Sequence, residues 1–125
     1  MGKMSLQARL KSVAHAWSGL RELVATEANA RIHLAASLAV LALGLMLGLA
    51  TWEWVAIILA ATLVWMAEAL NSALERLADA VTRDIHPSIR SAKDMAAGAV
   101  LLAALAAAMV GVLVLGPRLW SLLAA

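Results

Sequence analysis

The sequence contains no cysteine, phenylalanine or tyrosine, and only 14% of its 125 residues are charged. Without cysteine the chain can form neither a disulfide nor a thiolate metal ligand, and it has no thiol nucleophile. Its hydrophobic fraction is 64%, whereas a soluble domain is about half apolar and about a quarter charged. This composition excludes an ordinary soluble fold and a disordered chain. The net charge of +2 is too small to indicate a nucleic-acid partner.

Three long apolar stretches account for most of the chain. Residues 34–50 and 95–115 carry no charge, and residues 54–74 carry only Glu68. At a rise of about 1.5 Å per residue, each stretch can cross a hydrocarbon core about 30 Å thick. Backbone groups in lipid must be hydrogen-bonded within their own segment, so each span should be a helix. We predict an all-α membrane protein with one domain over 1–125 and spans at about 32–50, 54–75 and 94–115.

The segment before the first span has a helical pattern of its own. Apolar residues recur there at three- and four-residue spacing, while basic residues fall largely on other faces. The pattern predicts an amphipathic interfacial helix over 5–27, with its Lys and Arg side chains near anionic headgroups. A helix packed against its own protein has the same pattern, so that alternative stays open.

Basic residues lie almost entirely on one side of the predicted spans. Only Arg118 follows the third span; the other nine precede the first span or lie between the second and third, at Lys3, Arg9, Lys11, Arg21, Arg31, Arg76, Arg83, Arg90 and Lys93. The positive-inside rule then predicts a cytoplasmic N-terminus. Trp52, Trp54 and Trp120 fall together at the opposite interface, as an aromatic belt does.

Four polar residues of the second span share one helix face. Glu68, Asn71, Glu75 and Asp79 are spaced by 3, 4 and 4 residues and lie within about 80° of one another. Counted inward from Trp54, Glu68 lies about 21 Å deep and Glu75 about 32 Å, at the cytoplasmic surface. An acid inside a span costs about 2.5–3.5 kcal/mol on insertion scales, so intramembrane acids are functional by default. Helix–helix hydrogen bonding for Glu68, and surface solvation for Asp79, are the structural alternatives.

Other polar residues lie at the cytoplasmic ends of the predicted spans. Glu27, with Glu75, offers the hard oxygen ligands that Mg²⁺ prefers. The Lys93 ammonium group is a candidate phosphate ligand, and the neighbouring Asp94 is a candidate helix cap. His86, in the loop, is a weaker candidate for function. The sequence lacks a GxxxxGK[ST] motif, so a nucleotide site here would not be a P-loop.

Several motifs resemble the bacterial membrane diacylglycerol kinase family, which includes undecaprenol kinases. They are EALNSALERLAD at 68–79, HP at 86–87 and AKDMAAGAV at 92–100, with family-like counterparts in AWSGLR at 16–21 and TEANAR at 26–31. The resemblance implies MgATP-dependent phosphorylation of the primary hydroxyl of diacylglycerol or undecaprenol. It also implies a homotrimer in the bacterial inner membrane, with active sites near protomer boundaries at the cytoplasmic interface.

The resemblance further implies roles for individual residues. Glu68 matches the general base that takes the lipid hydroxyl proton, and Glu27 and Glu75 match carboxylates that hold Mg²⁺. Asn71 matches a supporting or substrate-contacting position. The matched nucleotide-binding positions are Glu27, Glu75, Asp79, His86, Lys93 and Asp94. A proton-coupled transporter using Glu68 as a relay is the alternative function, and a non-enzymatic scaffold is a third; neither explains the charges gathered on one side.

Overall fold

Four helices make up the computed structural model, which describes residues 5–125. They are α1 (Leu6–Thr26), α2 (Ala28–Leu47), α3 (Thr51–Val81) and α4 (Pro87–Leu123). Within the described residues there is no strand, and α2, α3 and α4 are each long and apolar enough to cross a membrane. The predicted all-α fold with three candidate spans is confirmed. Lys3, which belongs to the basic N-terminal set, lies outside the described residues.

A single extended residue, Glu27, separates α1 from α2. Its backbone angles are φ −99° and ψ 122°. Its N–H donates to the Leu23 carbonyl at 2.9 Å, and its own carbonyl accepts from the Arg31 N–H at 3.3 Å. Both helix ends therefore keep a bonded backbone group while the chain changes direction. The Glu27 side chain consequently lies at the corner between the two helices.

Two glycines shape the turn between α2 and α3. Gly48 ends α2 with φ 63° and ψ 56°, a left-handed conformation that glycine adopts without a Cβ penalty. Gly44 lies against Trp54, and a Cβ at this position would be 2.6 Å from the indole ring. Trp54 thus packs inward, whereas Trp52 and Trp120 are largely exposed, as residues of an interfacial belt would be.

An ion pair joins three helices at this turn. The buried Glu53, in the first turn of α3, accepts from Arg118 of α4 through Oε1 at 3.1 Å and Oε2 at 2.5 Å. Its Oε2 also accepts from the Ala50 N–H at 2.7 Å. Arg118 in turn donates to the carbonyls of Leu47 and Gly48, at the end of α2. We call this bidentate arrangement the Glu53–Arg118 clasp; paired bonds of this kind are the strong form of an Arg–carboxylate contact.

The apolar core lies at the same end of the molecule as the clasp. Leu49, Ile57, Val114 and Leu115 are buried together there. By contrast, the apolar face of α1 is open: its Leu6, Leu10, Val13 and Trp17 are 60% to 72% exposed. Exposed apolar patches of this extent mark surfaces that contact a membrane or another protein. Lipid contact by α1 therefore stays a prediction, but the other described residues do not cover its apolar stripe.

The N-terminus of α4 differs from the predicted start of the third span. His86 is its N-cap, with Nδ1 accepting from the Ser88 N–H at 3.3 Å, and Pro87 takes the first helical position. Proline is favoured there because its missing N–H would have no intrahelical partner. Lys93 and Asp94 consequently lie within the helix, and the expectation that Asp94 caps it was wrong.

Candidate functional site

Glu68 is almost completely buried in α3, with 2% of its surface exposed. Its Oε2 has no hydrogen-bond partner among the described residues. The basic group recorded beside it is His33 of α2, whose Nε2 lies 3.7 Å from that oxygen, beyond hydrogen-bonding distance. Leaving a buried polar group unbonded is unfavourable by about 1–3 kcal/mol, and by more for a charged one. The Glu68 carboxyl group is therefore suited to accept a hydrogen bond from a bound substrate.

Asn71 adds a second acceptor one turn further along the same face. Its Oδ1 is also buried without a partner in the described part of the chain, and the adjacent Ser72 is buried too. A carboxylate oxygen and an amide oxygen are both acceptors, so the pair is suited to a ligand that carries a hydroxyl group.

The C-terminal part of α3 carries the remaining acids of this face. We call it the acidic end, defined by Glu75 and Asp79. Asp79 Oδ1 pairs with Lys93 Nζ of α4 at 2.6 Å, and both side chains are partly exposed. An exposed ion pair contributes only about 0–1 kcal/mol, so its main effect here is to hold the lysine beside α3. Glu75 is exposed, and no hydrogen bond or ion pair is recorded for it within residues 5–125.

Arg76 connects the acidic end to α1, and sequence reasoning missed this role. Its guanidinium group donates to Glu22, to Thr26 Oγ1 at 2.5 Å and to Glu27 Oε1 at 3.2 Å. The carboxylate of Glu27 is thereby drawn to the end of α3 that carries Glu75. An arginine inside an otherwise acidic motif signals that an acidic partner is needed, but it does not identify that partner.

Two clefts border the buried face of α3. One, of about 420 Å³, lies among α2, α3 and α4, and its walls are apolar apart from His33 and Ser37. The other, of about 340 Å³, lies between α1 and α3 and includes Ser72 and Arg76. Glu68 and Asn71 line neither cleft: His33, beside Glu68, opens to the first, and Ser72, beside Asn71, opens to the second.

Carboxylates at the acidic end fit a metal ion only in part. Within residues 5–125, no three His, Asp or Glu side chains form a group that could hold a metal. Mg²⁺, however, commonly takes one or two carboxylates together with substrate phosphates and water. Glu27 and Glu75 satisfy that smaller requirement in ligand type. The donor set therefore fits a Mg²⁺ ion that arrives with phosphates rather than one held by the protein alone.

Two predicted nucleotide-binding residues stand apart from the others. His86 and Asp94 are exposed, and no hydrogen bond or ion pair in the described part of the chain joins either of them to the remaining candidates. The fold therefore gathers Glu27 and Arg76, and separately Asp79 and Lys93. It leaves Glu75, His86 and Asp94 open to solvent or to a ligand.

Comparison with known proteins identifies the family. Residues 14–115 match the prokaryotic diacylglycerol kinase family. The chain is 39% identical to an undecaprenol kinase of Bacillus subtilis over 87% of this chain and 89% of that protein. It is 42% identical to a diacylglycerol kinase of Synechocystis sp. over 91% of this chain and 66% of that protein. A diacylglycerol kinase of Escherichia coli is 33% identical over 78% and 80% of the two chains. The resemblance drawn from the motifs is thus confirmed: the chain belongs to the prokaryotic diacylglycerol kinase family.

Proposed function

We propose that this protein is a lipid kinase that transfers the γ-phosphoryl group of MgATP to the primary hydroxyl of a membrane lipid. The names of its relatives support a lipid substrate of the diacylglycerol or undecaprenol type. The observation that carries the proposal is Glu68, whose buried Oε2 has no hydrogen-bond partner in residues 5–125, as is also true of the nearby Asn71 Oδ1. These acceptors are suited to a lipid hydroxyl, whose proton must leave during transfer.

The proposed reaction uses the two ends of the polar face differently. The lipid hydroxyl donates to Glu68, its oxygen attacks the γ-phosphorus, and the proton passes to the Glu68 carboxylate. The bond between the γ-phosphorus and the bridging oxygen of ADP breaks in the same transfer. Lys93, held beside α3 by Asp79, binds the phosphates. Mg²⁺, held by Glu27 and Glu75 when bound, would neutralise phosphate charge.

We also propose that the protein works as a homotrimer in the bacterial inner membrane, with its N-terminus and acidic end in the cytoplasm. The one-sided distribution of basic residues supports this orientation. The open apolar face of α1 and the exposed side chains of Glu75, His86 and Asp94 are consistent with a site completed by nucleotide at a protomer boundary. A transporter using Glu68 is not favoured, because it would leave the Lys93–Asp79 pair without a function.

The proposal predicts label transfer from γ-labelled MgATP to lipid in detergent micelles. Diacylglycerol and undecaprenol should be offered separately and together, because both present a primary hydroxyl and the site residues do not distinguish them. Label in either lipid supports the kinase assignment and identifies the acceptor. Absence of label in both, with a monodisperse protein preparation, would contradict the proposed function.

Glu75→Gln is expected to weaken the dependence of activity on Mg²⁺. The amide keeps the size of the side chain but removes the charge, so the Mg²⁺ concentration giving half-maximal rate should rise about tenfold. Titration of Mg²⁺ at fixed ATP measures this concentration. Asp84→Asn is the matched control, because it removes an exposed carboxylate outside the proposed site. Superimposable Mg²⁺ titrations for Glu75→Gln and the native protein would contradict the assignment.

A further inference from the structure

His33 is held at a defined place next to Glu68. Its ring meets the indole of Trp65 edge to face, with centroids 6.5 Å apart and planes at 67°. The indole N–H of Trp65 donates to Ser37 Oγ at 3.1 Å, one helical turn from His33 on α2. Trp65 also lies one turn before Glu68 on α3. The imidazole is therefore packed between the two helices with Nε2 directed to the carboxyl oxygen, at 3.7 Å.

The other charged side chains near this region are engaged elsewhere or lie further along their helices. Within the described residues, α1 contributes Glu22, which bonds Arg76, and α4 contributes Lys93, which bonds Asp79. On α2, Arg31 donates to the Ala25 carbonyl. Glu75 is almost two turns from Glu68 on the same helix. His33 is consequently the basic group that the fold provides for the Glu68 carboxyl.

The burial of Glu68 restricts how this side chain can lose a proton after the proposed reaction. After each transfer Glu68 would carry the lipid proton, and its side chain is only 3% exposed. That proton has to leave before the next lipid hydroxyl can be deprotonated. The His33 side chain is 19% exposed and lines the cleft of about 420 Å³. An imidazole in this position can pass a proton outward, because one ring nitrogen can accept a proton and the ring can then release it to water in the cleft.

We propose that His33 accepts the proton that Glu68 takes up in each transfer. This inference rests on the proposed lipid kinase function. Before transfer, the neutral imidazole carries its proton on Nδ1, so Nε2 faces the Glu68 carboxyl group as an acceptor. After transfer, the O–H bond of protonated Glu68 breaks and an N–H bond forms at Nε2. The imidazolium ion then releases the Nε2 proton to water, which restores the starting tautomer. A small closure of the 3.7 Å separation brings the two atoms to hydrogen-bonding distance.

The test compares His33→Ala with His33→Gln in the lipid phosphorylation assay, with and without added imidazole. We expect His33→Ala to lower kcat at least about tenfold without changing the KM for MgATP, because regeneration of the base is slowed. Free imidazole, admitted by the adjoining cleft, should restore kcat several-fold. His33→Gln, whose amide fills the position without accepting a proton, should be slow and poorly rescued. His15→Gln, an exposed histidine on α1, should behave like the native protein with or without imidazole.

Two results would overturn the inference. One is a kcat for His33→Ala within twofold of the native value; the other is a lower kcat that imidazole does not restore, which indicates packing alone. If His33→Ala does not fold, ¹⁵N-histidine NMR of the native protein and Glu68→Gln decides: the His33 ring signals should move and those of His15 should not. Unmoved His33 signals would reject the contact. The NMR comparison needs no turnover, so it separates failure of this inference from absence of lipid labelling by the native protein.

Discussion

Replacing Glu68 by glutamine is expected to lower lipid phosphorylation at least about hundredfold. The amide has nearly the shape of the carboxyl group but cannot accept the lipid proton, and a positioned general base contributes about 10²- to 10⁴-fold to the rate. Because only 2% of the Glu68 surface is exposed, water is poorly placed to accept the lipid proton instead. Transfer of labelled γ-phosphate under saturating MgATP and lipid measures the effect.

The Glu68 variant should keep its fold and its nucleotide affinity. Glutamine carries no charge, so the substitution removes a carboxylate whose burial is unfavourable and should not destabilise the helices. Binding of MgATP and elution in size-exclusion chromatography therefore serve as controls, with Asp84→Asn as a variant that loses an exposed carboxylate. Turnover near the native value in Glu68→Gln would show that another group accepts the proton.

Replacing Lys93 by methionine is expected to lower kcat/KM for MgATP by about hundredfold. Methionine keeps an unbranched chain of similar length but removes the ammonium group that we assign to the phosphates. Loss of one well-placed charge-stabilising donor costs about 10²- to 10³-fold in rate. Asp79→Asn should have a smaller effect, about tenfold, because it only loosens the lysine that it holds at 2.6 Å.

Arg90→Met provides the matched control for Lys93→Met. Arg90 lies one turn earlier on α4 and is exposed, so its replacement removes the same charge from the same helix. We expect its kcat/KM to stay within about threefold of the native value. Equal losses in the two variants would indicate a general electrostatic effect on nucleotide association, rather than a contact made by Lys93.

Much of this arrangement could be predicted from local pattern. The three spans followed from apolar length, and the placement of Glu68, Asn71 and Asp79 on one face followed from helical spacing. His33 could not be assigned in this way. His33 lies 14 residues from the end of α2 at Leu47, about 21 Å, and Glu68 lies 17 residues from the start of α3 at Thr51, about 26 Å. A similar depth was therefore readable, but most of α2 is apolar, and its sequence does not identify the face that meets α3.

Ion pairs between distant helices could not be predicted from the sequence, for a different reason. The contact of Arg76 with Glu22 depends on the direction in which α1 returns, and that direction is determined by the extended backbone of Glu27. Similarly, Glu53 and Arg118 are 65 residues apart. From the sequence, Arg118 stands out only as the basic residue that follows the third span, apart from the other Lys and Arg residues. Spacing along one helix contains no information about such angles between helices.

The Glu53–Arg118 clasp has a mechanical consequence. It fixes the helices at one end, together with the apolar core, whereas Glu68 lies about 23 Å from Glu53 along α3. At that lever arm, a change of about 5° in the angle between two helices displaces their facing atoms by about 2 Å. Displacements of about 1 Å are enough to slow a positioned reaction about hundredfold. We therefore expect the alignment of the proposed reacting groups to depend on contacts at the opposite end of the helices, far from the proposed site.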